Sequence, residues 1–277
     1  LRFFFLNGLN LEKIDAYRSS HPPPQNLESA LSIAFNAILH SAKEIDETQT
    51  VDYFNVFLAP FAKGIDSSKI KEALRLFIGN INQHAKASLG LELTIPEHMA
   101  DRPAIGPFGK LAGNYRDFIE ETQILASLIL EILDEESTRK PLHNPKVILK
   151  MRQETFSDER AKAMLLKTHR LASERGLPCF ANLLKKEQEH SVFSGSGFRL
   201  KPDRSGDWEI DTLRTGCLGH VTVNLPRIAY ESEKEKAKFL EILKERLEMA
   251  TRALEIKDRA LKHQGRSLLT FLMQNVN

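Results

Sequence analysis

The 277 residues are 42% hydrophobic and 27% charged, an ordinary globular composition that can fill one large core or two modest ones. A net charge of +2 argues against a nucleic-acid-coating surface, and no apolar run approaches bilayer length, so neither nucleic acid nor membrane is an expected partner. Two cysteines, Cys179 and Cys217, are too few for a cysteine metal cage and argue against a disulfide framework, which makes the cytoplasm the expected compartment.

Residues 1–6 are apolar but short, with no signal-peptide cleavage pattern. The proline run 22–24 predicts a stiff extended stop, after which Asn26 caps a helix over 27–39. The nearly continuous apolar run 52–62 is ambiguous in length and is read as a helix. Ser67 and Ser68 open an amphipathic helix with Ile70, Leu74, Phe77 and Ile81 on one face. Residues 91–95 alternate between Gly90 and Pro96 and predict a strand. The stretch 96–113 is rich in proline and glycine and reads as a long loop. A helix over 115–133 follows, then a strand over 146–151. A helix over 158–175 ends at Gly176. A short strand over 178–183 comes next, with a further strand candidate at 197–201 and a turn-rich stretch at 203–207. Residues 220–225 read as the clearest strand, and Ser232 caps a long charged helix to about Lys262. Helices alternate with short strands through the second half, which predicts an α/β fold with a sheet or barrel after a mainly helical first half. The chain lacks an initiator Met and stops just after the apolar segment 268–273, which reads as an internal piece of a longer protein.

The stretch from Arg214 to Tyr230 is the richest in chemistry. Thr215-Gly-Cys-Leu-Gly219 sets Cys217 between glycines that permit a sharp turn and a close approach to a ligand. A thiol at such a tip suits one-electron or nucleophilic chemistry; a small buried side chain at a strand entrance is the other reading. Asn224 interrupts the apolar run and would bind either a substrate hydroxyl or a neighbouring backbone group. Arg227 would pair with a phosphate or a structural carboxylate. Ser194-Gly-Ser-Gly197, followed by Arg199, could offer backbone N–H groups to a phosphate but lacks the Lys-Ser/Thr ending of a P-loop. The nine histidines show no metal-ligand spacing, so no metal site is expected from sequence. The Glu/Lys run 231–238 reads as a solvated helix face.

Four stretches, in order, resemble the large chain of the anaerobic (class III) ribonucleoside-triphosphate reductases. They are the proline-rich helix entry at 22–31, Asp52-Tyr-Phe-Asn-Val-Phe-Leu-Ala-Pro60 with the helix after it, Leu177-Pro-Cys-Phe-Ala-Asn182, and 213–230 with its Asn-Leu-Pro-Arg sequence. The resemblance implies one catalytic-barrel piece over 1–277, part of a ten-stranded α/β barrel of the glycyl-radical type. Within it, 1–90 would be the helical dimer and effector face and 91–277 the barrel part. It implies a glycyl radical that converts a cysteine to a thiyl. The thiyl takes the ribose 3′ hydrogen and water leaves from C2′, giving deoxyribonucleotides for DNA replication. The implied partners are a ribonucleoside triphosphate substrate, ATP or dNTP effectors, a radical-SAM activating enzyme and a second copy in a homodimer. The radical glycine, and zinc in a four-cysteine site, would belong to a C-terminal region outside these residues. The family's finger-loop Cys-Arg pair is matched here by Phe198-Arg199, so the thiol is expected elsewhere. Cys217 is the candidate hydrogen-abstracting residue and Asn224 the candidate active-site polar group. Asn182, Arg199 and Arg227 are candidate substrate contacts. Turnover by this piece alone is not expected. The rival expectation is a non-catalytic nucleotide-binding or regulatory remnant of the same fold.

Overall fold

The computed structural model describes residues 1–12, 20–140, 142–195 and 197–275. Helix α1 (Arg2–Asn7) buries Phe5. Asn26 caps α2 (Leu27–Glu44) as expected, and does so through a capping box: the Asn26 side chain accepts from the Ser29 amide at 2.8 Å, and the Ser29 hydroxyl accepts from the Asn26 amide at 3.0 Å. Strand β1 (Gln49–Val51) leads through Asp52 and Tyr53 into α3 (Phe54–Ala62), every residue of which is buried. Helix α4 (Ser67–His84), capped by Asp66, feeds strand β2 (Ala87–Leu91). A one-turn helix α5 (Glu97–Ala100) and a hairpin of β3 (Pro103–Ile105) and β4 (Leu111–Asn114) occupy the stretch read as a loop. Helix α6 (Ile119–Arg139) precedes β5 (Lys146–Met151). The short α7 (Gln153–Ser157) is followed by α8 (Glu159–Arg175), capped by Asp158 and closed by Gly176 at φ 73°. Strand β6 (Cys179–Asn182) comes next, then the two-residue strands β7 (Val192–Phe193) and β8 (Arg199–Leu200). Helices α9 (Trp208–Leu213), α10 (Leu225–Glu231), α11 (Lys236–Leu268) and α12 (Thr270–Asn275) complete the described chain.

The fold is mixed α/β around a four-stranded, all-parallel sheet in the order β1-β2-β5-β6. Parallel strands need crossovers, and the helices between them supply these. Helix α3 packs on β2 and α6, and α6 packs on α4 and α8. Phe54 and Phe77 stack at 5.2 Å between α3 and α4. Each fully buried Phe or Leu in this layer contributes roughly 1.5–3 kcal/mol, which is why α3, buried throughout and polar only at Asn55, sits at its centre.

Two expected strands need correction. The strand expected over 91–95 is displaced toward the N-terminus, to Ala87–Leu91. A strand buried on both faces needs no alternation, and Ala-Ser-Leu-Gly-Leu meets that need. The alternating residues after it are pinned instead by Asn55, whose Oδ1 accepts from the Glu92 amide at 3.0 Å. The strand expected over 220–225 is absent: 215–224 has no regular structure and Leu225 already belongs to α10. Asn224 caps that helix and Pro226 sits in its first turn, a helix-start signature that outweighs the β-branched run before it. Ser232 closes α10 rather than opening the long helix, which begins at Lys236 and runs past Lys262 to Leu268. Ser196 of the small-residue loop lies outside the described residues.

Candidate active site

All strands of the main sheet run the same way, so their carboxyl ends share one edge, the edge where open α/β sheets place ligands. Four charged side chains converge there. Asp52 follows β1, Glu92 follows β2, Lys150 is the penultimate residue of β5 and Arg152 lies just beyond it. All four are buried. Lys150 Nζ lies 2.5 Å from Asp52 Oδ2 and 3.3 Å from Glu92 Oε1, and 3.7 Å from the centre of the Tyr53 ring. Arg152 grips Glu92 with two bonds, Nε to Oε2 at 2.8 Å and Nη2 to Oε1 at 2.9 Å. The result is a charge-balanced chain from Asp52 to Arg152.

Burial dominates its electrostatics. It pushes the Asp52 carboxyl up, and the Lys150 charge offsets this only in part. Burial works against the Lys150 ammonium, but Asp52, Tyr53 and Glu92 outweigh it and hold the lysine above its ordinary value. Burial would raise Glu92 too, yet Arg152 and Lys150 win and hold it low. Tyr53 is pushed up to about 12 by burial and stays protonated. Its hydroxyl lies 3.2 Å from His98 Nε2, and burial, with the nearby Arg152 charge, pulls His98 down to about 3.

Asp52 also lines a cleft of about 320 Å³, within the range of small-molecule sites. Thr50 of β1 lines it, and Phe198, Leu200, Arg214 and Cys217 contribute the wall that comes from later in the chain. Strand β8 explains the wall: alternation turns Phe198 and Leu200 into the cleft and leaves Arg199 between them exposed.

Of the five residues singled out from sequence, Cys217 lines the cleft. It is half-buried, and its Sγ lies 3.3 Å from the Gly219 carbonyl oxygen. The other four are exposed and lie outside the cleft lining. Asn182 ends β6, and its Oδ1 accepts from the Leu184 amide at 3.1 Å. Asn224 accepts from the Arg227 amide at 2.9 Å as the α10 cap, and Arg227 pairs with Glu231 at 2.7 Å. Sequence reasoning missed the ionic chain. Its one legible signal was a lysine inside the otherwise apolar run Val147-Ile-Leu-Lys-Met.

Known proteins share this architecture. The anaerobic ribonucleotide reductase from Thermotoga maritima, solved with citrate in the active site, is 16% identical, with 93% of this chain and 47% of that one covered at a TM-score of 0.68. The same organism's enzyme in complex with dATP and CTP is 16% identical, with 96% and 45% covered at 0.66. A third structure, an anaerobic ribonucleotide reductase, is 16% identical, with 96% and 42% covered at 0.67. The chain therefore spans about half the length of the solved structures it matches. A comparison with curated proteins finds no match. The family described as anaerobic ribonucleoside-triphosphate reductase matches residues 1–276, and the chain belongs to that family.

Proposed function

We propose that this chain supplies the substrate-binding part of an anaerobic ribonucleoside-triphosphate reductase, with the Cys217 cleft as the place where the ribose reacts. The observation that carries the proposal is that Phe198 and Cys217 line the same cleft. Phe198 stands where the resemblance puts the finger-loop cysteine, so the missing thiol has a substitute facing the same space. The cleft's volume suits a nucleotide's sugar and base, and the relative solved with dATP and CTP supports nucleotides as ligands. Arg214 on the wall provides positive charge toward a phosphate.

In this reading the glycyl radical of the complete protein supplies a one-electron oxidant for a nearby thiol. Cys217 gives up its S–H hydrogen and, as a thiyl, takes the ribose 3′ hydrogen. The 2′ hydroxyl then leaves as water, and an external two-electron reductant completes the product. The cleft wall shields the thiol from quenching. Asn224 joins Cys217 as a catalytic residue and Arg227 contacts substrate once the segment after Cys217 reorders on binding, and Asn182 and Arg199 are further substrate contacts. The four-stranded sheet is part of the ten-stranded barrel, and the helices of residues 1–90 form the face for a second copy and for ATP or dNTP effectors. A radical-SAM enzyme activates the protein, in the cytoplasm.

The test is the activated full-length protein carrying Cys217→Ala. Deoxyribonucleotide formation should vanish while nucleotide binding stays nearly intact, and Cys179→Ala should cost little. Product formation that persists in Cys217→Ala overturns the assignment. Phe198 in the thiol's place favours one other reading, a nucleotide-binding remnant. It would show as binding without product in the unmutated, activated protein.

A further inference from the structure

Behind the cleft wall lies a second group of chemistry-bearing side chains, independent of the reductase reading. His98 comes from α5, and Glu189 and His190 come from the segment between β6 and β7. One ligand atom from each lies within 4.8 Å of the others. His98 Nδ1 and Glu189 Oε1 lie 3.1 Å apart. The two imidazoles meet edge to face at 4.4 Å. His190 Nδ1 is buried with no hydrogen-bond partner among the described residues, which ordinarily costs about 1–3 kcal/mol. We propose that His98, Glu189 and His190 form a binding site for a divalent transition-metal ion, zinc foremost.

The geometry fits tetrahedral coordination. Metal–ligand bonds of about 2.0–2.1 Å put neighbouring ligand atoms roughly 3.3 Å apart. The His98–Glu189 separation already has that spacing, and modest side-chain rotation brings in His190. Two imidazoles and one carboxylate select zinc over magnesium or calcium, and three protein ligands leave a fourth position for water. A supporting contact is also in place. With Nδ1 on the metal, His98 Nε2 carries the proton, and the Tyr53 hydroxyl at 3.2 Å accepts it.

Charge does not oppose the ion. Arg152 and Lys150 are neutralised by Glu92 and Asp52, and Arg102 pairs with Glu209 at 2.7 Å. Glu189 is different: among the described residues no lysine or arginine pairs with its carboxylate, and Arg152 reaches only its backbone oxygen. The ion would replace a weak imidazole contact with a full counter-charge.

The site also has a consequence for the cleft. His190 immediately precedes the segment into β7 and stacks on Trp208, the first residue of α9, at 5.5 Å. Val192 of β7 and Thr212 and Leu213 of α9 line the cleft. A metal at His98 therefore ties α5 to both elements that carry the cleft wall.

Trp208 is the only tryptophan, so its emission reports the site directly. The full chain, stripped with a chelator, is titrated with Zn²⁺ by calorimetry, and with Ni²⁺ by Trp208 quenching. One zinc per chain and saturable quenching are expected. Removing an outer-shell partner of a metal ligand typically costs about 10–100-fold in affinity, so Glu189→Gln and His190→Ala should each lose at least about 100-fold. Tyr53→Phe should lose on the order of 10-fold. Glu189→Gln keeps the side chain's shape, so its result stands even if His190→Ala disturbs the Trp208 stack. A Cys179→Ala/Cys217→Ala variant should bind zinc as the wild type does. Failure to take up stoichiometric zinc overturns the proposal. So does equal affinity in Glu189→Gln, or loss of binding in the cysteine variant.

Discussion

Replacing Lys150 with methionine isolates the energetic role of the ionic chain. Methionine keeps the length and apolar stem but removes the ammonium that joins Asp52 to Glu92. The Lys150 and Asp52 side chains are only 1% and 3% exposed, so water cannot replace the lost charge. Breaking a buried pair from one side costs about 3–5 kcal/mol. The other route is protonation of Asp52. Holding a carboxyl of ordinary pKa about 3.9 protonated at pH 7 costs about 4 kcal/mol, at about 1.4 kcal/mol per unit. The two routes agree, and a loss of about 4 kcal/mol is expected at pH 7. The sign with pH follows from the raised carboxyl. A group whose folded pKa exceeds its unfolded one contributes fully at low pH and loses that contribution as pH rises through the folded pKa. The variant's deficit should thus shrink on acidification from pH 7 to pH 5. Urea unfolding followed by Trp208 emission measures both values. Adding Asp52→Asn should recover more than half of the loss at pH 7, because no uncompensated charge remains beside Glu92. A deficit under about 1 kcal/mol with no pH dependence would refute the reasoning, since that is the behaviour of a solvated surface pair.

The same unfolding assay checks two further substitutions. Asn55→Ala should cost about 3 kcal/mol or more, because it strands the Glu92 amide and the Glu92 and Thr122 carbonyls that Asn55 satisfies at 2.7–3.0 Å. A loss below about 1 kcal/mol would mean that those groups find other partners. Gly90→Ala should cost at least about 2 kcal/mol, because its Cβ would lie 1.9 Å from Asp52 Oδ1, in a carboxylate whose other oxygen, Oδ2, Lys150 holds in place. Gly79→Ala, in α4 with nothing within 4 Å of the new methyl, should instead stabilise by up to about 1 kcal/mol. Equal effects at the two glycines would count against the crowding argument.

Local signals announced the helices well. Asn26 caps a helix where the sequence places one, and Gly176 ends another with a left-handed residue. The strand Lys146–Met151 was legible as a bounded apolar run. Strand β1 was not, because three residues are too few to show any periodicity. The apolar run before Asn224 misled because β-branched residues say nothing about whether a neighbouring strand exists to receive them. The ionic chain was beyond local reading, since Asp52 and Lys150 meet across 98 residues of sequence and only the parallel order of β1, β2 and β5 brings them to one edge. The Cys217 motif was visible as a thiol between glycines, but its shared cleft with Phe198 appears only once β8 and the segment after α9 fold against the sheet.

The account's central claim, a ribonucleoside triphosphate held against the Cys217 thiol, is tested most directly by thiol protection. Cys217 is half-buried in the cleft and Cys179 is exposed, so the two report separately when alkylation is followed by peptide mass. With CTP at a hundredfold excess over its Kd only about 1% of sites stay open, so alkylation of Cys217 should slow at least about tenfold while Cys179 reacts at an unchanged rate. Unaltered alkylation of Cys217 in protein shown to bind CTP would place the substrate elsewhere and contradict the claim.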